Sequence, residues 1–307
     1  MMKHENKVRG SKPVSRMVYA LTFLSLLALT IAVLLKDADV ALLNPKGLIA
    51  LEQYKLFLIS SFILLLIAVP TLFLFYYMAW KYRETNDKAI YDPHVRQGKG
   101  LTLSIWAIPI VFMVVLGGIM WSATHRLEPQ KAIAANAKPI TVQVVALRWK
   151  WLFIYPEHNI ATVNFVQIPT DTPIRFELTA DEVSMSSFWI PHLGGQLYAM
   201  TGHVNPLNLM AEKPGDYPGS SAELNGHGFA GMKFIARASS NEVYKSWVSD
   251  VQLNSTMLTA DGYKEMLKPS ENNNVAFYNL ADSKLHDKVV MKYTGSHEVH
   301  TRSHKEH

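Results

Sequence analysis

Histidine and methionine are the side chains of this 307-residue chain best suited to metal chemistry, because cysteine, the usual soft partner, is absent. Without a thiol there can be no disulfide, thiolate nucleophile, zinc ribbon or iron–sulfur cluster. Between residues 139 and 238 stand His158, His192, His203 and His227, with Met185, Met200, Met210 and Met232. Imidazole and thioether suit copper, yet none of these residues shows a tight metal-ligand spacing on one strand or loop. His192 follows Pro191 ahead of Gly194-Gly195, and His227 lies between Gly226 and Gly228, so both read as exposed turn residues. His297, His300, His304 and His307 close the chain in a polar stretch that reads as a solvated, disordered tail, where nothing would hold ligands rigidly. No Ser-His-Asp arrangement, phosphate-cradling loop or HExxH helix is present.

The elements that carry these residues begin in a membrane. Hydrophobic residues make up 49% and charged residues 18%, below the ~25% charged of an average soluble protein. The excess falls in three uncharged runs: Met17 to Leu35, 19 residues; Leu56 to Trp80, 25; and Leu101 to Thr124, 24. Each reaches the ~20 residues needed to cross a ~30 Å hydrocarbon core. Tyr76, Tyr77, Trp80, Trp106 and Trp121 crowd toward the ends of the second and third runs, as interfacial aromatics do. The first run follows Lys3, Lys7, Arg9, Lys12 and Arg16, which suits a signal peptide or a signal anchor. It is longer than a cleaved signal's usual apolar core and no A-x-A site follows, so segment 1–40 reads as a retained helix. Segment 41–124 then forms a hairpin of spans 56–80 and 101–124. Loop 81–100 holds Lys81, Arg83, Lys88, Arg96 and Lys99 and is expected in the cytoplasm, which puts everything after Thr124 outside. The net charge of +5 gathers in such clusters and does not point to nucleic acid.

Past a polar linker at 125–138, hydrophobicity alternates with period two. Ile140, Val142 and Val144 share one face; Ile174, Phe176 and Leu178 alternate with Arg175, Glu177 and Thr179; Met232, Phe234 and Ala236 alternate with Lys233 and Arg237. Turn signals such as Thr172-Pro173, Asn205-Pro206 and Pro214-Gly215-Asp216 break residues 139–238 into short strands, the pattern of an all-β sandwich. Ser239 and Glu242 are spaced as a capping box opening a helix near 241–252, and a second short helix is expected near 261–267. Region 239–285 therefore reads as helical and 286–307 as the polar tail. The fold class is a transmembrane helical hairpin followed by a β-sandwich and short C-terminal helices.

Several strings in register give this architecture a family. ITVQVVALRWKWLFIYPEHNIATVNFVQIPTDTPIRFELTADEVSMSSFWIPHLGGQLYAMTGHVN and SAELNGHGFAGMKF, with LLNPKGLIALEQ, FYYMAWKYRE, IWAIPI and THRLEP upstream, resemble subunit II of the haem–copper oxidases. The resemblance is strongest to the bo-type ubiquinol oxidases and covers roughly residues 41–280. It implies a cupredoxin-like sandwich in the periplasm of a bacterial inner membrane. In the cytochrome c-oxidising branch this domain holds a binuclear copper centre, with one His in an H-S-F-x-V-P string and the rest in a C-x-E-x-C-G-x-x-H-x-x-M loop. Laid on this chain, those positions fall on Ser186, Ser221, Asn225 and Phe229; only Glu223 and Met232 are retained. Serine, asparagine and phenylalanine cannot stand in for bridging thiolates and imidazole, so no metal, cofactor or catalytic residue is expected in this chain.

The resemblance then implies a non-catalytic subunit II of a complex that reduces oxygen with ubiquinol and translocates protons. Haems and copper would belong to a partner, subunit I. The string Trp149, Trp151, Phe153, Tyr155 stands where the other branch accepts electrons; with no copper behind it, it reads as packing, with Trp149 and Trp151 as interface candidates. A glutamate seven residues before the proline of the second core helix is frequent in the family, and Pro109 places Thr102 there. Two other readings stay open. One is a copper-holding cytochrome c oxidase subunit with unusual ligands such as His192, His203 and Met200. The other is a membrane-tethered assembly or interaction module.

Overall fold

The computed structural model describes residues 39–84, 86, 98–135 and 137–303, with side chains as far as residue 294, besides Phe23, Leu26, Leu27 and Thr30. Apart from those four residues, the retained helix expected at 17–35 lies outside the described residues, as does most of loop 81–100. The chain divides into units 1–44 and 45–307, and the second contains the elements below.

Helix α1 (Leu48–Lys81) and helix α2 (Lys99–Arg126) contain the two expected spans. At ~1.5 Å per residue, α1 is about 50 Å long, beyond a ~30 Å hydrocarbon core. Only Ala50 and Ala123 of these helices are buried, while Phe62, Phe73, Phe75, Ile105, Met113 and Val114 face outward. A helix apolar all round needs lipid or a partner helix around it. The extra turns of α1 have another task. Lys46 and Gly47 donate backbone N–H to the His192 carbonyl at 2.9 and 3.1 Å, and Ala50 donates to Leu193 at 3.1 Å. Glu212 N–H returns a bond to Lys46 at 3.0 Å. A Cβ on Gly47 would sit 2.7 Å from the Met210 carbonyl oxygen and 2.9 Å from Leu193 Cα, so the approach requires glycine. Beyond α2, the Pro129 carbonyl accepts both the backbone N–H and the side-chain amide of Asn208, at 3.0 and 3.1 Å. Arg126 lies 3.6 Å from Glu52, tying the two helix ends together. Both ends of the hairpin are thus pinned to the soluble domain.

That domain is a sandwich of two mixed sheets. One has seven strands in the order β11-β12-β3-β2-β1-β5-β8, the other five in the order β4-β10-β9-β6-β7. The strands are β1 (Ile140–Leu147), β2 (Lys150–Tyr155), β3 (Ile160–Val163), β4 (Phe165–Pro169), β5 (Ile174–Ala180) and β6 (Met185–Trp189). Then come β7 (Leu197–Met200), β8 (Asn205–Leu209), β9 (Gly215–Ser221), β10 (Lys233–Ser239), β11 (Thr256–Leu258) and β12 (Ala276–Leu280). Strands β1 and β5 pair in parallel, as do β4 and β10, and the remaining sandwich neighbours are antiparallel apart from β11–β12. The core between the sheets is aromatic. Trp151, Phe153, Phe176, Phe188 and Phe234 interlock there, with Phe188 and Phe234 stacked at 5.0 Å.

Three expectations change here. Region 239–285 is not only helical: after α3 (Asn241–Asn254) it adds β11 and β12 to the seven-stranded sheet, with α4 (Ala260–Met266) between them. Those short segments mix polar and apolar residues and take their strand form from pairing, β12 with β3 and β11 with β12. The tail is not disordered through its length, because Leu285–Ser303 forms α5. His297 and His300 lie on its backbone; His304 and His307 fall outside the described residues. Finally, the cap of α3 is Ser240, whose hydroxyl accepts from Val243 N–H at 3.4 Å, while Ser239 instead accepts from Gln167 at 3.1 Å.

Gly47→Ala is expected to lower the unfolding midpoint by the equivalent of about 1–3 kcal/mol and to expose linker 127–139 to protease. Gly98→Ala, whose Cβ would meet nothing within 4 Å, should leave both unchanged.

Candidate functional site

The family's ligand positions converge at one end of the sandwich. Strand β6 delivers Ser186, β9 ends on Ser221, and the chain returns through loop 222–231 to Met232 at the start of β10. Ser186, Ser221 and Met232 are buried. Asn225 sits at the centre: its side-chain N–H group donates to Ser186 Oγ at 2.8 Å and to Met232 Sδ at 3.2 Å. Ser221 Oγ donates to the Glu223 carbonyl at 3.2 Å. Phe229 opens the single 3₁₀ turn Phe229–Gly231 and is half-buried. The geometry decides the chemistry. The one soft donor, Met232, accepts a hydrogen bond from a neutral amide, and the remaining groups are neutral hydroxyls and a carbonyl. A binuclear copper centre needs anionic bridging sulfur, and a donor N–H aimed at the thioether has the wrong polarity for a cation. These residues do not fit that group.

Trp149 closes the site from outside. It occupies the two-residue turn between β1 and β2 with φ of 63°, a conformation that costs a non-glycine residue on the order of 1–3 kcal/mol. Its ring lies over the loop: a Cβ on Gly228 would be 2.4 Å from the indole, and one on Gly226 3.3 Å. Arg148 Nε fixes the same turn through the Glu182 carbonyl at 3.0 Å. Arg148, Trp149, Glu182 and Gly226, with Val183, Met185, Glu223 and Leu224, line an open cleft of about 460 Å³.

A second segment, which sequence reasoning missed, clasps the loop from the C-terminal side. Glu271 binds His227 Nδ1 at 2.7 Å, and Asn272 packs on Gly231. Lys150, buried at the start of β2, anchors this segment through the Lys268 carbonyl and Ser270 Oγ, at 2.9 and 2.5 Å. Burial draws the Lys150 pKa down, against the pull of Glu265. Asn164 adds a bond to the Asn273 carbonyl at 3.0 Å. One signal for this cover was available: β2 is apolar on both alternations, Trp151 and Phe153 on one face, Leu152 and Ile154 on the other. A strand buried on both faces needs a layer on each.

The other candidate residues disperse. Trp151, an interface candidate, is fully buried in the core and presents no surface; Trp149 keeps part of its ring exposed. His192 is not an exposed turn residue. It is 7% exposed under the first residues of α1, beside the Tyr217 ring. His203 lies past β7 and His192 before it, so the set His192, His203, Met200 straddles a strand instead of converging. Among the described residues no group of three or more His, Asp or Glu could hold a metal ion.

Two apolar helices followed by this sandwich and its short C-terminal helices define a subunit II-type chain of the terminal oxidases. Residues 156–239 match the periplasmic domain of cytochrome c oxidase subunit II, and residues 253–297 match the COX aromatic rich motif. The cytochrome bo(3) ubiquinol oxidase subunit 2 of Pseudomonas putida is 41% identical over 93% of this chain and 89% of its own length. The ubiquinol oxidase subunit 2 of Acetobacter aceti is 39% identical over 86% of each. A crystal structure of the periplasmic domain of Bradyrhizobium japonicum cytochrome oxidase subunit II is 22% identical, with a TM-score of 0.37 over 40% of this chain and 98% of that one. The chain belongs to the ubiquinol oxidase subunit 2 family. Two apolar helices and a periplasmic-type domain fit an inner-membrane protein.

Asn225→Ala should remove both amide bonds and leave Ser186 Oγ and Met232 without their donor. An unfolding midpoint lower by the equivalent of about 1–3 kcal/mol is the expected outcome, read by thermal denaturation of the purified chain.

Proposed function

We propose that this chain serves a proton-translocating ubiquinol:oxygen oxidoreductase as its non-catalytic second subunit. Haems, copper and the quinol site are assigned to a partner, subunit I. The carrying observation is the Asn225 knot: the place where a cytochrome-oxidising relative would bind copper is filled by hydrogen bonds of opposite polarity. Electrons would then reach oxygen from membrane ubiquinol without passing through the sandwich. The outward apolar faces of α1 and α2 support a seat in the bilayer against subunit I. The basic loop 81–100 supports its placement in the cytoplasm, with the sandwich in the periplasm. Pinning both hairpin ends to the sandwich lets the chain act as a brace that caps subunit I. Thr102, exposed on α2, stands where relatives often carry glutamate, and a hydroxyl does not exchange a proton as a carboxyl does. Proton uptake is then assigned to groups elsewhere in the complex.

Two experiments test the reading. The complex solubilised through a C-terminal tag should carry haem and consume oxygen with ubiquinol, and not with reduced cytochrome c. Cytochrome-driven uptake, or copper retained by the full chain after loading and dialysis, would overturn it. Trp149→Ala should reduce the haem recovered per tagged chain, with activity per haem unchanged. Full haem content with lost activity would instead make Trp149 an electron-transfer residue.

A further inference from the structure

Helix α5 lies on the outer face of the seven-stranded sheet, against β1 and β5. Along β5, Ile174, Phe176, Leu178 and Ala180 fill the core between the sheets, which turns Arg175, Glu177 and Thr179 to the outer face, with Asp181 just beyond. On α5, His286, Val289 and Tyr293 recur at the spacing of one helical face. Two attachments of different chemistry hold the helix there.

The attachment at Tyr293 is ionic. Tyr293 Oη and Lys292 Nζ donate to Asp181 Oδ1 at 2.6 and 2.8 Å, and Lys292 also reaches Glu182 Oε1 at 2.6 Å. Tyr263 on α4 donates to the other Asp181 oxygen at 2.7 Å. Although burial opposes it, hydrogen bonding to Asp181 and Glu182 holds the Lys292 pKa above its usual value, so this end keeps its charge.

The attachment at the root of α5 is an uncharged plug. His286 is 2% exposed, and its Nε2 has no hydrogen-bond partner among the described residues. Two acidic groups act on it. Glu177 of β5 favours an imidazolium through its charge and through a backbone hydrogen bond to the ring, although Arg175 Nε already holds its carboxylate at 3.1 Å. Asp287 of α5, 3.9 Å from Nδ1, is 59% exposed. Gln143 of β1, the register neighbour of Glu177, is neutral, and its Oε1 is itself buried without a partner. Burial outweighs the acidic neighbours and lowers the His286 pKa.

We infer that α5 is an acid-released latch, seated by neutral His286 and unseated at its root when that imidazole takes a proton. The sign follows from linkage. A histidine whose folded pKa is depressed stabilises the seated state above its ordinary pKa of about 6.5. That stability is lost as pH falls from there toward the depressed value, by up to about tenfold per pH unit for one proton. Release would open the pocket of about 250 Å³ between α4 and α5, lined by Leu258, Tyr263, Leu267, Leu285 and Val289. The inference does not depend on the oxidase reading, because the latch is internal to this chain.

Hydrogen exchange of the full chain in its native complex tests it, corrected for intrinsic rates, between about pH 7.5 and about pH 5. Backbone amides of residues 285–294 should lose protection below about pH 6.5, by at most about tenfold per pH unit, while those of β1 and β5 keep theirs. His286→Gln, neutral at both pH values, should abolish the difference. Constant protection of α5 in the wild type would overturn the latch, as would the same loss in His286→Gln. Should that variant fail to assemble, the wild-type profile alone decides.

Discussion

Loop 222–231 has to be held closed by something, and one asparagine at its centre does it. The Asn225 amide reaches Ser186 on β6 and Met232 at the start of β10, tying loop 222–231, which runs from β9 to β10, to both strands. Neutral hydrogen bonds of this kind contribute about 0.5–1.5 kcal/mol each, much less than a bridging metal cluster would. The remainder comes from packing around them. Trp149 is held in a strained turn so that its ring can cover Gly226 and Gly228. The Glu271–His227 pair and Asn272 close the loop from the C-terminal side. The loop's rigidity therefore rests on a segment more than forty residues downstream.

The same downstream segment explains why the seven-stranded sheet can be apolar on both faces. Its inner face meets the five-stranded sheet across the aromatic cluster of Trp151, Phe153, Phe188 and Phe234. Its outer face, through Val145, Leu147, Leu152 and Ile154, is covered by Leu258, Tyr263, Leu280 and Val289. Without that layer four large apolar side chains would face water, at about 1.5–3 kcal/mol each. The COX aromatic rich motif at 253–297 is thus as much a part of the fold as the periplasmic domain match at 156–239.

Much of this was legible in the sequence. Uncharged runs of 25 and 24 residues and period-two alternation at several stretches of 139–238 depend on local pattern alone, and both survive as α1, α2 and the sandwich. The positions on which the resemblance lays copper ligands are fixed by residue identity alone, and the structure brings Ser186, Asn225 and Met232 of them together. What escaped depends on contacts distant in sequence. Strands β11 and β12 are three and five residues long and exist through their pairing with each other and with β3. The burial of His192 follows from α1 docking on its carbonyl. Trp151 and Trp149 look alike as a doublet, yet one is on the strand and the other in the turn, and that single step separates core from surface.

The junction between hairpin and sandwich connects these parts to function. Two long apolar helices with outward faces have no fixed orientation of their own in a bilayer. Here Lys46 and Gly47 are hydrogen-bonded to the His192 turn, Pro129 to Asn208, and Glu52 to Arg126, so the helices leave the sandwich along fixed directions. Orientation set at the water-exposed end is carried into the membrane by α-helices, whose backbone bonds are satisfied internally. On the proposed reading, a subunit without a redox group of its own would still matter to an oxidase, by holding its helices at a defined angle to the sandwich. That rigidity has two requirements, a closed loop 222–231 at one end of the sandwich and a glycine at position 47 near the membrane. Both rest on backbone approaches that a single added side-chain atom would break.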